Sequence, residues 1–234
     1  VARGMKILSS TRPAVQIFGA FGGNYLADRG KPNNGPLTNK LVREAMNIAV
    51  NRVEMNKGIF LGHADPMYTY VNPAALDYAP STAGIVKEDA ERAKKLLDEA
   101  GWLTGADGIR EKNGVKLAPK VYVTIGNNSV KPAEAIQGYL RRVGVDWRIQ
   151  PWDSSISPLK MSEQDYEIWS VSVPYMSAGD LMNLYFDSRN VPAPNRYNWK
   201  DPRTDELLTA GRTALNPDDR ARACCCPNQG PRAD

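Results

Sequence analysis

The stretch from Val121 to Gln150 constrains the chain more than any other. VYVTI at 121–125 alternates like a strand, Pro132 then opens a helix with Ala133, Ile136, Leu140 and Val143 on one stripe, and Gly144 hands over to the extended run VDWRIQ. A strand, a crossover helix and a second strand in so short a span imply a parallel pair with a right-handed connection. The fold class that follows is α/β. A further strand, EIWSVSV at 167–173, sets Trp169, Val171 and Val173 on one face.

The rest of the chain supplies helices and turns around this unit. Thr38 or Asn39 caps a helix whose apolar residues Val42, Ala45, Met46, Ala49 and Val53 recur at helical spacing and which ends near Gly58. KEDAERAKKLLDEAGW is the clearest helix: Glu88 and Asp89 lie in its first turn, Ala90, Ala93, Leu97 and Ala100 share a face, and Gly101 is its C-cap. GADGIREKNGVKL reads as a small hairpin, because DG and NG suit tight turns. Two helices close the chain, one with Asp201 as N-cap and Pro202 at its first position, the other with Asn216 and Pro217 in the same roles. Between the first two helices, GHADPMYTYVNPAALDYAPSTAG has turn residues every few positions and reads as a long ordered loop. There is no internal repeat and no low-complexity linker, so a single mixed α/β domain is expected.

Composition excludes several function classes. The net charge of +4 comes from 30 basic and 26 acidic residues scattered along 234 positions, without the Lys/Arg stripe of a nucleic-acid binder. No apolar run reaches the length of a membrane span, and VARGMKILSSTRPAVQ lacks the apolar region of a signal peptide. That segment also lacks an initiator Met, so the expectation is a processed chain or one that begins midway through a longer protein. The single histidine, His63, excludes a multi-His metal site and reads as an exposed loop residue or a core hydrogen-bonder. Cys224, Cys225 and Cys226 are contiguous; neighbouring Cα atoms stand about 3.8 Å apart, short of what an unstrained disulfide needs. A Cys224–Cys226 bridge and a soft-metal site are the alternatives to the reading preferred here, an irregular tail over 221–234.

Phosphate-cradling and nucleophile-elbow motifs are missing, and FGAFGG at 18–23 is only glycine-rich. The carboxylate pairs Glu88/Asp89, Asp98/Glu99 and Asp218/Asp219 fall on helix surfaces, where solvated or dipole roles suffice. Neither catalysis nor a cofactor is expected. What stands out is aromatic content in the loops, Tyr68, Tyr70, Tyr78, Trp152, Tyr175, Tyr185, Tyr197 and Trp199, since aromatic walls with a few polar groups make small-molecule pockets. The competing reading is that such rings pin loops to the core.

Six segments in order resemble one family. NNGPLTNKLVREAMNIAVNR is similar to the "N…P-[LF]-x-D-x-x-V-R-x-A-[LM]-x-x-A-[IV]-D-R" signature of the extracytoplasmic solute-binding proteins of family 5, the peptide, nickel and opine receptors of ABC importers. EDAERAKKLLDEAGW resembles that family's "A-x-x-L-L-x-E-A-G" helix and DGIREKNGVKL its following hairpin. AEAIQGYLRRVGVDWRI, DYEIW and NWKDPRTDELLTAG resemble the later helix and strand, the "Y-D" strand, and the "N-P-x-x-D-x-L-L-x-x-A" helix. Asn39 and Asn51 stand where the family has Asp, a change expected to touch capping or ion pairing rather than function. Beyond Arg220, CCCPNQGPRAD departs from the family's helix, and Pro227 and Gly230 supply breakers.

The resemblance implies the α/β second lobe of a periplasmic-binding-protein-like receptor (type II, cluster C), with a mixed sheet flanked by helices. Its expected limits are a crossing segment over 1–32, the lobe over 33–220 and the irregular tail over 221–234. It implies an extracytoplasmic or periplasmic location, and as partners a small peptide-like solute, the transmembrane subunits of an ABC permease and a first lobe of the same protein. By the same likeness the ligand is expected near the residues after the "Y-D" strand, here Trp169, Ser172, Tyr175 and Asp180. For Trp169 a core position competes with this role, and Asp180 is equally placed to be the N-cap of a helix LMNLYF. The alternatives of another class are an interaction or chaperone-like module, and a stand-alone hydrolase.

Overall fold

A computed structural model describes residues 15–21, 35–68, 87–126, 129–163, 166–173, 177–191 and 193–225. After strand β1 (Val15–Phe21) the described chain resumes with a short 3-10 turn, Pro36–Thr38, and helices α1 (Lys40–Ile48), α2 (Arg52–Ile59) and α3 (Ala90–Glu99). A small meander follows, β2 (Leu103–Thr104), β3 (Arg110–Lys112) and β4 (Val115–Lys116), and then β5 (Lys120–Thr124), α4 (Val130–Arg142) and β6 (Arg148–Trp152). The chain continues through α5 (Ser157–Glu163), β7 (Ile168–Val173), α6 (Ala178–Phe186), α7 (Pro202–Thr213) and α8 (Pro217–Cys225). The main sheet has the order β1-β7-β5-β6. β5 pairs parallel with both β6 and β7, while β1 pairs antiparallel with β7, which makes the sheet mixed.

The expected strand, helix, strand unit is present, with Val121 opposite Ile149 and Val123 opposite Pro151. Its helix starts earlier than Pro132, at Val130 after Ser129, and carries the proline inside its first turn, where a missing N–H costs nothing. Alternation along β5 sends Val121 and Val123 to one face of the sheet and Tyr122 to the other. On the first face Val42, Leu97, Leu140, Val145 and Ile168 are at most 1% exposed and form an aliphatic core with α1, α3 and α4. On the second, Trp152, Tyr166, Trp169, Leu181, Tyr185 and Tyr197 pack beneath α6.

Helix ends follow side-chain chemistry closely. Asn39 caps α1, its side-chain oxygen accepting from the Leu41 amide at 2.8 Å. The single helix expected through Val53 is instead two: Asn51 accepts from the Glu54 amide at 2.7 Å and caps α2 afresh, leaving Val53 46% exposed. Asp89 is the N-cap of α3 rather than a residue of its first turn. At the other end of α3 the Gly101 amide reaches the Asp98 carbonyl and the Trp102 amide the Leu97 carbonyl, both at 2.9 Å, with Gly101 at φ +81° as this double closure requires. Asn113 and Gly114, at φ +52° and +74°, make the β3–β4 turn. Arg110, 4% exposed, fastens this meander by donating to the Val143 carbonyl at 2.8 Å, the Trp102 carbonyl at 2.6 Å and the Asp98 carboxylate at 2.5 Å. Asp201 caps α7 as expected, accepting from the Thr204 amide at 2.8 Å.

Two further differences concern the ends. β1, a strand the sequence pattern did not mark, lies inside the expected crossing segment, and its register slips between Phe18 and Ala20, a bulge centred on Gly19. α8 runs to Cys225, so the stretch expected to be irregular from 221 begins as helix; Cys226 and the rest lie outside the described residues. Most of the expected loop over 62–84 also falls outside them. At β6, an edge strand of the sheet among the described residues, the Trp147 carbonyl accepts the Gln137 side-chain amide at 2.6 Å, the Ile149 carbonyl accepts that of Gln150 at 3.2 Å, and Pro151 has no N–H.

Candidate functional site

Because β5, β6 and β7 run parallel, their carboxyl ends emerge along one edge of the sheet, the place where open α/β sheets hold ligands. β5 delivers Ile125 and Gly126 there, its Ile125 amide bonded to the Trp152 carbonyl at 2.8 Å. β6 delivers Asp153, whose carboxylate accepts from the Ser155 hydroxyl at 2.7 Å and the Ser155 amide at 2.8 Å. Those two bonds, the hydroxyl's first, hold the Asp153 carboxyl below the usual carboxylate range. The Thr124 and Ser157 hydroxyls, 3.4 Å apart, seat the start of α5 against the end of β5. Ile125, Ile156 and Leu159 are 52%, 44% and 58% exposed, so this end of the molecule offers apolar side chains to solvent beside serine and aspartate. Sequence reasoning missed all four of Ile125, Asp153, Ile156 and Leu159. The available signal was the strand boundary itself, marked by Gly126 after β5 and Asp-Ser-Ser after β6.

The residues expected to meet a ligand do not gather at one point. Ser172 is in β7, opposite Gln16 of β1 and one residue from the strand's carboxyl end. Asp180 is exposed in the first turn of α6, just beyond that end; it is not the N-cap, which is Ser177, whose hydroxyl oxygen accepts from the Asp180 amide at 3.3 Å. Trp169 lies earlier in β7 and is 5% exposed, its ring edge-on to Tyr166 at 6.2 Å and under the Arg196 guanidinium at 5.8 Å. Tyr175 lies outside the described residues, as do Tyr70 and Tyr78.

Four of the loop aromatics belong to the second core. Trp152 stacks on Tyr122 with ring centroids 4.2 Å apart, Tyr197 meets Tyr185 at 5.5 Å and Phe186 at 5.2 Å, and Trp199 donates its indole N–H to Thr204 at 3.1 Å. Trp152 and Tyr185 belong to β6 and α6 rather than to loops, and Asn195, fully buried, holds the loop of Tyr197 and Trp199 by donating to the carbonyls of Asp187 and Trp199 and accepting the Trp199 amide. These rings pin a loop to the sheet. Tyr68 packs under Arg52, its centroid 5.9 Å from the guanidinium carbon. Among the described residues no group of His, Cys, Asp and Glu is placed to hold a metal ion, and no helix is long and apolar enough to cross a membrane.

Known proteins with this fold and pattern support one assignment. The model of the bacterial extracellular solute-binding proteins, family 5 Middle, matches residues 9–192. Among curated relatives, Protein XP55 of Streptomyces lividans is 28% identical over 199 residues, which is 82% of this chain and 35% of that protein. The oligopeptide-binding protein OppA of Lactococcus lactis subsp. lactis is 34% identical over 113 residues, 47% of this chain and 19% of that protein. Among solved structures, the oligopeptide-binding protein AppA of Bacillus subtilis in complex with a nonapeptide superposes with a TM-score of 0.75 at 19% identity, covering 93% of this chain and 42% of that one. The chain thus spans well under half the length of these proteins. The fold is that of the periplasmic-binding-protein-like receptors, and with the family model matched over most of its length the chain belongs to the bacterial extracellular solute-binding proteins of family 5.

Proposed function

We propose that this chain forms one wall of a solute receptor that serves an ABC importer of peptides or similar small solutes. The observation that carries the reading is the convergence of three parallel strand ends on one edge, with exposed apolar and hydroxyl side chains beside them and α6 next in the chain after β7. Ser172, Tyr175 and Asp180 contact the solute in this reading, and Trp169 backs the strand from inside the aromatic core. Residues 33–220 are the lobe, 1–32 the crossing segment, whose β1 joins the lobe's sheet, and 221–234 a peripheral tail that begins as the end of α8. A first lobe of the same protein closes over the solute, which favours the closed state because only there does it touch both walls. The transmembrane permease subunits then recognise that closed form outside the cytoplasm. Hydrolysis and other catalysis have no part in this reading.

One wall makes half of the contacts. Isothermal titration of the 234-residue chain with peptides is therefore expected to show weak or undetectable binding, whereas native mass spectrometry of the two-lobed receptor is expected to reveal a co-purified small solute. Micromolar or tighter binding by the chain alone would overturn the two-wall reading, and a two-lobed receptor that carries and binds no small solute would overturn the function.

A further inference from the structure

Helix α6 follows β7 in the chain and ends in a cluster of charges. Asp187, at its C-terminal end, is 3% exposed, and its carboxylate accepts from the Arg189 side chain at 2.9 and 2.6 Å and from Arg212 of α7 at 2.8 Å. These guanidinium bonds, Arg189's first, hold the Asp187 carboxyl far below the usual carboxylate range. The same Arg212 nitrogen donates to the Asn183 side-chain oxygen at 2.8 Å, one turn back along α6. The Asn183 amide nitrogen in turn donates to the Gly179 carbonyl at 2.7 Å, next to Asp180. A chain of polar contacts therefore runs from α7 along α6 to its first turn.

We propose that Arg212 is a positioning residue for the candidate site: by gripping α6 at Asn183 and Asp187 it fixes the place that Asp180 takes at the sheet edge. Charge-assisted bonds at two points one turn apart fix the roll of a helix as well as its distance, which apolar packing alone does less sharply. The exposed Arg189, on the same carboxylate but reaching only the helix end, cannot do this. Swinging α6 about its end moves its first turn most, and that turn carries Asp180. The inference rests on the site proposed above.

The test separates the two. In hydrogen exchange of the 234-residue chain, R212Q is expected to speed exchange of amides 180–183 by about tenfold or more, the factor for losing one charge-assisted hydrogen bond. Leu208→Val trims a fully buried residue of α7 without touching Arg212, and at matched global stability it is expected to leave amides 180–183 at the parental rate. R212K, which keeps the charge but has a shorter reach and loses the second guanidinium nitrogen's bond to the Thr209 hydroxyl at 3.1 Å, is expected to fall between them. Equal rates at 180–183 in R212Q and Leu208→Val overturn the clamp. In the two-lobed receptor R212Q is expected to weaken solute binding by about the same factor while Leu208→Val does not. Parental affinity in R212Q overturns the positioning role, whereas a parental receptor that binds no solute overturns the proposed function and leaves the exchange rates to decide the clamp.

Discussion

On one face of the main sheet Val121, Val123 and Ile168 meet Leu97, Leu140 and Val42; on the other Tyr122, Trp152 and Trp169 meet Leu181, Tyr185 and Tyr197. The first face is covered by three helices and contains side chains with no polar atoms except two indoles and a phenol. Its integrity depends mainly on shape. The second is covered by one helix and a loop, and two of its rings have bonded polar tips, the Tyr166 hydroxyl to the Arg196 carbonyl at 3.1 Å and the Trp199 indole to Thr204, while the buried Trp169 indole nitrogen has no partner among the described residues. Aromatic packing here depends on a hydrogen-bonded loop, so polar substitutions should disturb it where apolar ones disturb its counterpart.

That contrast can be broken in order of effect. Leu140→Ala, in the aliphatic core, is expected to cost about 3–5 kcal/mol in urea unfolding through the cavity it leaves. Asn195→Ala removes a fully buried amide and strands the carbonyls of Asp187 and Trp199. A loss of about 2–3 kcal/mol is expected, with faster hydrogen exchange in 178–186 and 195–200 and parental rates in α4. If α4 loosens equally, the two faces are one cooperative unit and the contrast is only compositional.

The third test uses acid. The Asp187 carboxyl is depressed in the folded chain, chiefly by Arg189 and then Arg212, so its contribution is fully present above the unfolded value near 3.9 and fades as pH falls toward the folded one. Between pH 5 and 2.5 the parent should lose about 1–2 kcal/mol more than D187N, measured by urea titration at each pH. An equal acid loss in both would place the sensitive group elsewhere. The smallest effect is a gain: Asn39→Asp adds a negative charge at the start of α1, which has no acidic residue in its first turn, and should stabilise by about 0.3–1 kcal/mol. Asn51→Asp should gain less, because Glu54 already occupies the first turn of α2.

Periodicity made β5, α4, β6 and β7 legible, and Gly101 announced the end of α3, because in each case the signal is local. β1 was hidden: its partner β7 lies about 150 residues away, and Gly19 with its bulge breaks the alternation that would have marked it. The break after α1 was hidden differently. Val53 continues the apolar spacing of Val42, Ala45, Met46 and Ala49, and only the Asn51 side chain, turning back to an amide, reveals a second cap. At the candidate site the sequence marked the region after β7 but not the ends of β5 and β6, which join it only through the parallel pairing. Tyr197 and Trp199 looked like pocket walls because a ring on a loop has the same composition whether it faces solvent or the sheet, and Trp152 and Tyr185 because the ends of β6 and α6 were not marked.

The edge at β6 bears on how the protein behaves in company. Of the backbone groups a foreign strand would seek there, the Trp147 and Ile149 carbonyls are engaged by glutamine amides and Pro151 offers no donor. Sheets with unguarded margins recruit one another into aggregates. Here the chain's own side chains occupy two of those seats, so β6 is a weakened template for pairing with a foreign strand.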